Sequence, residues 1–321
     1  MEEKKLYPLG FCVLADEYGW GTDEFLLADL GYRDSLIRSG WLAGSSISEL
    51  MDTYMDRVVG DNAFTFWGRQ FPVQLKRIAV NGTMPLRVHP DTETAAQRYD
   101  FLGRRKLWYV LDAGADAQIL AGWKRDTDAS EMYAACTQGD VLPLLKSFSP
   151  RPGQYIQIPA GTPHAASGKL EILEISESSP LDFCLSGMGS PVHPDEFDEA
   201  LNIVDAMDFI DYKAFKGKLE SGGGRIADFP EFVVERTELR LPALVSGEAD
   251  NFVVYVCASG SAALSIDVLG RKATYDLSRA KALLVPAECP GFTIAPRAEG
   301  TVLLQVSVPF RTQRDGYTAE S

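Results

Sequence analysis

An all-β fold in two barrel- or sandwich-like units is what this sequence predicts. Short runs rich in Val, Ile, Leu, Tyr and Phe recur along its 321 residues, mostly bounded by Gly, Pro, Asp or Asn. Segments with helical spacing are fewer, and strands do not alternate with long helices as a parallel sheet requires.

The strand-like runs come in two sets. Phe71–Val80, Leu107–Asp112, Gln118–Trp123, Gln154–Pro159 and Leu170–Ser176 form the first, and Phe252–Ala258, Ala262–Val268, Ala282–Pro286 and Thr301–Val308 the second. Helices are expected over Ser46–Val59, which opens on a Ser cap with an acidic first turn, over Asp91–Leu102, and over Ser130–Ser147 with interruptions at Gly139 and Pro143. A further helical pattern covers Asp195–Phe209. The Ser221–Gly224 run (SGGG) is the best linker, so the expected domains are 1–220 and 221–321, the second with strands of its own. Residues 312–321 are polar and read as a frayed tail.

Composition narrows the function classes. The formal net charge of −14 argues against nucleic-acid and anionic-membrane surfaces, and no apolar run is long enough to span a bilayer. The N-terminus lacks the apolar region of a signal peptide, and five scattered cysteines without a CxxC pair suit reduced thiols, so a cytoplasmic location is expected.

Two of the three histidines stand in informative contexts. The run Gly153-Gln-Tyr-Ile-Gln-Ile-Pro159-Ala-Gly161-Thr-Pro-His164 turns at a Gly, enters a strand, makes a sharp Pro-x-Gly corner and delivers a His at the start of the next strand. It resembles the second cupin motif. The run Met84-Pro-Leu-Arg87-Val-His89-Pro places Arg87 and His89 at i and i+2, on one side of a strand. His193, in Pro-Val-His-Pro, reads as an exposed loop residue, and Trp20, Trp108 and Trp123 as core.

With Gly103-Arg104-Arg-Lys106-Leu-Trp108-Tyr and Pro159-Ala-Gly-Thr-Pro-His164-Ala, these motifs resemble those of the type I mannose-6-phosphate isomerases. Tyr7-Pro-Leu, Trp20-Gly21, Ile47-Ser-Glu-Leu50 and Phe71-Pro-Val-Gln-Leu-Lys76 extend the likeness along the chain. The resemblance implies two cupin barrels of jelly-roll type, with a small helical insertion beside the first. It also implies zinc held by Gln and His of one motif, Glu of a second and His of a third, serving a 1,2 proton shift between aldose and ketose phosphates. Carried over residue by residue, the ligand positions are Arg87, His89, Lys106 and His164, and the family's catalytic Arg position is Cys184. Arginine is a donor only, and lysine would have to lose its proton beside a dication.

Three readings follow. The chain is a phosphosugar isomerase with a reorganised site. Or it is a non-catalytic protein that binds a sugar phosphate or another anion through Arg87, Lys106 and Arg104. Or it is a different metalloenzyme, in which His89, His164 and a carboxylate such as Glu174 hold a metal. Zinc is the family metal, but none is expected on the purified protein, and isomerase activity is expected to be weak or absent. Arg87 and Lys106 could equally pair with Glu174 or Glu177. The second unit carries a worn copy of the corner, Pro286-Ala-Glu288-Cys-Pro-Gly291, where no metal is expected.

Overall fold

The computed structural model describes residues 4–188, 201–246, 250–268 and 270–310. Strand accounts for 44% and helix for 15%, in antiparallel sheets of a cupin-like all-β fold.

The chain forms two compact units. The first comprises Ala15–Phe25 and Leu75–Ser221. Its strands are β1 (Leu14–Tyr18), β2 (Gly21–Leu27), β3 (Val73–Thr83), β4 (Leu86–Val88), β5 (Lys106–Ala113), β6 (Gln118–Trp123), β7 (Leu145–Phe148), β8 (Tyr155–Ile158), β9 (His164–Glu177) and β10 (Phe183–Ser186). They run β1-β2-β3-β9-β4-β10, with β5 joined to β8 and β9, and β6 joined to β7 and β9. The 14-residue β9 is the organiser: it pairs with β4, β5 and β6 and lies beside β3. Because β5 is covered on both faces, Lys106–Leu111 is buried without a break, which explains an apolar run in place of alternation. Val88, Trp108, Val110, Ile119, Ile156, Ile158 and Ile172 share one core.

The other unit comprises Met1–Leu14, Leu26–Gln74 and Gly222–Ser321. Its strands are β11 (Gly224–Asp228), β12 (Val233–Glu238), β13 (Ala243–Val245), β14 (Val253–Ser259), β15 (Ser261–Val268), β16 (Arg271–Ser278), β17 (Ala282–Val285), β18 (Phe292–Pro296) and β19 (Val302–Ser307). They make a five-stranded sheet, β11-β12-β19-β14-β17, and a four-stranded sheet, β13-β18-β15-β16. Tyr255, Leu283 and Leu303 of the larger sheet share a core with Leu264, Phe292 and Ile294 of the smaller.

The units do not follow a single cut at 220. Residues 26–74, with helices Ile47–Tyr54, Asp56–Val59 and Asp61–Trp67, group with the C-terminal strands. The cause is visible at the worn corner: the Ala287 and Glu288 amides donate to Val58 and Arg57 carbonyls, and Glu288 is clasped by Arg57 and Lys5. The helix expected over 46–59 breaks at Met55, which has a positive φ of 45°. Residues 195–200 of the helix expected over 195–209 lie outside the described residues, as does His193; only Ile203–Ala206 is helical in the remainder. Of the helix expected over 130–147 only Ala129–Gln138 is α-helical, since Gly139 ends it and β7 starts at Leu145. Strand β7 and strands β1, β2, β10–β13, β16 and β18 were not anticipated, because charged or small residues interrupt their apolar patterns.

The Pro159-Ala-Gly161 corner shows why a glycine is needed there. Gly161 has φ +74°, and a Cβ would lie 2.5 Å from the Phe209 carbonyl oxygen. Its amide donates to the His89 carbonyl and its own carbonyl accepts from Asp211, so the corner ties the His89 segment to the strand bearing His164. We expect Gly161→Ala to lower stability by about 2–3 kcal/mol, read as a shift in the urea unfolding midpoint at unchanged slope.

Candidate functional site

The cupin-type motifs bring their side chains into the interior of the first unit. Arg87 on β4 pairs in register with His164 at the start of β9 and with Cys184 on β10. Lys106 pairs with Ser176, and Trp108 with Glu174. Strand alternation therefore sends Lys106, Trp108, Glu174 and His164 to one side, and His89 follows β4 into the same space. The rings of His89 and His164 lie 4.9 Å apart, and Trp108 meets His164 edge-on at 5.3 Å.

His164 is fixed by its two nitrogens. Nδ1 lies 2.9 Å from the Thr162 carbonyl, which can only accept, so Nδ1 carries the proton. Nε2 then presents a lone pair, and the Lys106 ammonium donates to it at 3.2 Å. The same Nζ is 3.2 Å from Glu174 Oε2, which also accepts from the Trp108 indole at 2.8 Å. Arg104 reaches Asp182 at 3.1 Å and Glu174 at 3.5 Å, and Arg87 reaches Asp182 at 3.3 Å. Lys76 pairs with Asp23 at 3.1 Å. Glu177 is engaged elsewhere, by the Thr92 hydroxyl and the Arg105 amide. Neither ring nitrogen of the fully buried His89 has a hydrogen-bond partner among the described residues.

Burial sets the electrostatics. It would raise the Glu174 and Asp182 carboxyls, but Lys106 and Arg104 outweigh it and hold both well below the usual carboxylate range. Burial pushes the Lys106 ammonium down to about 8 against the pull of Glu174, so the lysine is still charged at neutral pH. Burial and then Lys106 push His164 down to about 3 and His89 well below the ordinary imidazole value. The charged groups lining the space are four cations, Lys76, Arg87, Arg104 and Lys106, and three carboxylates, Asp23, Glu174 and Asp182. The cavity left among them is about 10 Å³, room for one water at most.

All six residues singled out from the sequence, Arg87, His89, Arg104, Lys106, His164 and Glu174, are thus buried in one region. Sequence reasoning missed Asp23, Lys76 and Asp182 as members of the cluster. Lys76 left a signal: on β3 it alternates with Gln74 and Ile78, which places a cation on a buried face. Cys184 is fully buried, as expected of a small apolar side chain, and none of the five cysteines is in a disulfide. Trp20, Trp108 and Trp123 are core residues.

No protein-family model matches the chain. GmuF of Bacillus subtilis strain 168, named "Probable mannose-6-phosphate isomerase", is 30% identical over 149 residues, which are 45% of this chain and 44% of that protein. "Putative mannose-6-phosphate isomerase YvyI" of the same organism is 25% identical over 285 residues, 85% of this chain and 84% of the relative. The match to GmuF thus spans less than half of its length, and the match to YvyI most of it. The chain is a homologue of the mannose-6-phosphate isomerases. The crystal structure of the Bacillus subtilis mannose 6-phosphate isomerase shares its fold, with a TM-score of 0.77 over 95% of this chain and 100% of that one, at 21% identity.

The donors present do not fit the zinc that the motif resemblance implies. Of the four positions implied by the resemblance, Arg87 and Lys106 offer only N–H donors, and the lone pair of His164 is already taken by Lys106. A zinc site needs at least three protein ligands, and among the described residues no group of three or more His, Cys, Asp or Glu could hold a metal. Nor is any helix of the described residues long and apolar enough to cross a membrane.

The lowered imidazole values have a sign that can be measured. Unfolded histidines take up protons near pH 6.5, whereas His89 and His164 do not in the folded state. The unfolded state then binds more protons, so stability is complete above pH 6.5 and falls as the pH drops, by up to about 1.4 kcal/mol per pH unit per histidine. Between pH 6.5 and 5 the Asp29 carboxyl, pushed up to about 6 by burial, takes up its proton in the folded state first and offsets part of the fall, but one such group does not cancel two histidines. We expect the urea midpoint to drop across that window, while the NMR shifts of both ring systems stay those of neutral imidazole.

Proposed function

We propose that this chain is a mannose-6-phosphate isomerase-like protein of phosphosugar metabolism that has weak or no isomerase activity. The observation that carries the reading is the position of the Lys106 ammonium, 3.2 Å from both His164 Nε2 and Glu174 Oε2. It satisfies with an internal cation the lone pairs that a metal would otherwise take. An aldose–ketose isomerase needs a base for the α-proton and an electrophile for the developing oxyanion. Here the nearest cations are committed to Glu174 and Asp182, and Cys184 stands at the position of the family's arginine. A cavity of about 10 Å³ leaves no room for a hexose phosphate beside His89 and His164. The same ion pairs weigh against anion capture by Arg87, Arg104 and Lys106, since a ligand would have to displace carboxylates already in contact with them.

Zinc titration by calorimetry and a coupled mannose 6-phosphate isomerase assay test the proposal. The unmodified protein should bind zinc weakly, if at all, and should not turn over the substrate with or without added zinc. Arg87→Gln with Lys106→Glu removes two positive charges and adds a carboxylate beside Glu174, His89 and His164. At about 4 Å, unit charges in a partly screened interior interact by about 4 kcal/mol, and a dication doubles that. Removing both cations should therefore tighten zinc binding by at least about a hundredfold and make the melting temperature zinc-dependent. Tight one-to-one zinc binding by the unmodified protein, with isomerisation, would sink the reading.

A further inference from the structure

The unit that contains the C-terminal strands holds a second cavity, of about 390 Å³, within the range of roughly 300–1,000 Å³ typical of small-molecule sites. One wall is a polar row across three adjacent strands. Gln305 on β19 pairs in register with Glu235 on β12 on one side and with Tyr255 on β14 on the other. The facing wall is apolar: Val245 and Phe292 are partners across β13 and β18, and Phe292 meets Tyr255 edge-on at 5.8 Å. Asn251 completes the lining.

The polar side chains of this lining combine acceptors with hydroxyls, those of Ser246, Tyr255 and Ser307, that can donate or accept. Asn251 Nδ2 donates to the Val308 carbonyl at 2.6 Å, which fixes the amide and turns Oδ1 elsewhere. That Oδ1 is buried and has no hydrogen-bond partner among the described residues. Gln305 Nε2 donates to the Thr237 hydroxyl at 3.1 Å, leaving Oε1 to accept. Tyr255 is 1% exposed, lines the cavity, and its hydroxyl makes no hydrogen bond among the described residues. Burial and Glu235 keep that phenol protonated. Among the described residues Glu235 is the only charged residue of the lining, and its carboxylate is paired with Arg225 at 3.4 Å. Cys289, also in the lining, is no nucleophile: its thiol is pushed up to about 12 by burial and lies 3.7 Å from the Leu6 carbonyl.

We propose that this lumen binds a neutral polyhydroxylated ring, of the size and chemistry of a free monosaccharide. Buried acceptors need donors, and several hydroxyls on one small ring supply them without charge. Gln305 Oε1 and the Glu235 oxygen not paired with Arg225 accept from the ring hydroxyls, the Tyr255 hydroxyl bonds a further one, and the apolar face of the ring packs on Phe292 and Val245. A phosphorylated sugar is disfavoured, because no cation among the described residues lines the cavity and Arg225, outside it, is already paired with Glu235. This site shares no residue with the ion cluster of the other unit, so it stands or falls independently of the isomerase reading.

Saturation-transfer NMR and calorimetry on the full chain, with D-mannose as the probe, decide the matter. The expected result is millimolar binding. Tyr255→Phe should weaken it about fivefold, the loss of one hydrogen bond of about 1 kcal/mol, while leaving the urea midpoint unchanged because the hydroxyl has no protein partner. Glu235→Ala, at a partly exposed position, should weaken it similarly and serves if Tyr255→Phe does not fold. Arg125→Ala, at an exposed position of the other unit, should leave mannose binding untouched. Absence of binding at tens of millimolar overturns the proposal. So does affinity unchanged in both variants, which would put the sugar elsewhere. Mannose 6-phosphate binding as well as mannose in a Tyr255-dependent way would overturn the neutral class.

Discussion

One ammonium organises the interior of the first unit. Lys106 Nζ stands between the lone pair of His164 and a carboxylate oxygen of Glu174, 3.2 Å from each. From that contact outward the rest is constrained. The His164 tautomer is set by Thr162, the Glu174 orientation is set by Trp108, and the remaining charge of Glu174 and Asp182 is met by Arg104 and Arg87. A buried ion pair costs desolvation that its attraction only partly returns, so such a cluster is a poor source of net stability. It is nevertheless hard to alter one member at a time, because removing one partner leaves the other charged and dry, at a cost of about 3–5 kcal/mol.

Closure follows from the same contacts. Four side-chain cations and three carboxylates occupy the space together with Trp108 and His164, and what remains is about 10 Å³. A site that works on a phosphosugar must admit it and present donors that are free to move toward developing charge. Here every long cation reaches a carboxylate within the barrel. Geometry and charge thus agree that this cluster is closed and internally paired.

Much of this was legible in the sequence, for identifiable reasons. The Pro159-Ala-Gly161 corner requires a backbone that only glycine adopts readily, so the motif locates the turn and the following His164 without help from tertiary structure. The i, i+2 spacing of Arg87 and His89 gave their common side. What was not legible depends on pairing between distant strands. Asp182 sits in an unremarkable Pro-Leu-Asp run and enters the cluster only because β10 lies beside β4. Asp23 enters because β2 lies beside β3, which brings it to Lys76. The grouping of the early helices with the C-terminal strands was equally hidden, since it rests on Arg57 meeting Glu288 across 231 residues of chain.

The choice of side chain at position 106 has a physical logic. An apolar residue there would leave Glu174 with only Arg104 at 3.5 Å and the Trp108 indole, and would leave the His164 lone pair facing hydrocarbon. Each such unsatisfied buried group costs about 1–3 kcal/mol, and a carboxylate more. A glutamate would add a third carboxylate to Glu174 and Asp182 and would call for a dication to hold them together. Lysine satisfies the lone pair and the carboxylate at once, with a single charge and a side chain long enough to reach both. The interior around Lys106 is therefore satisfied by its own side chains, one ammonium meeting both the imidazole lone pair and the carboxylate.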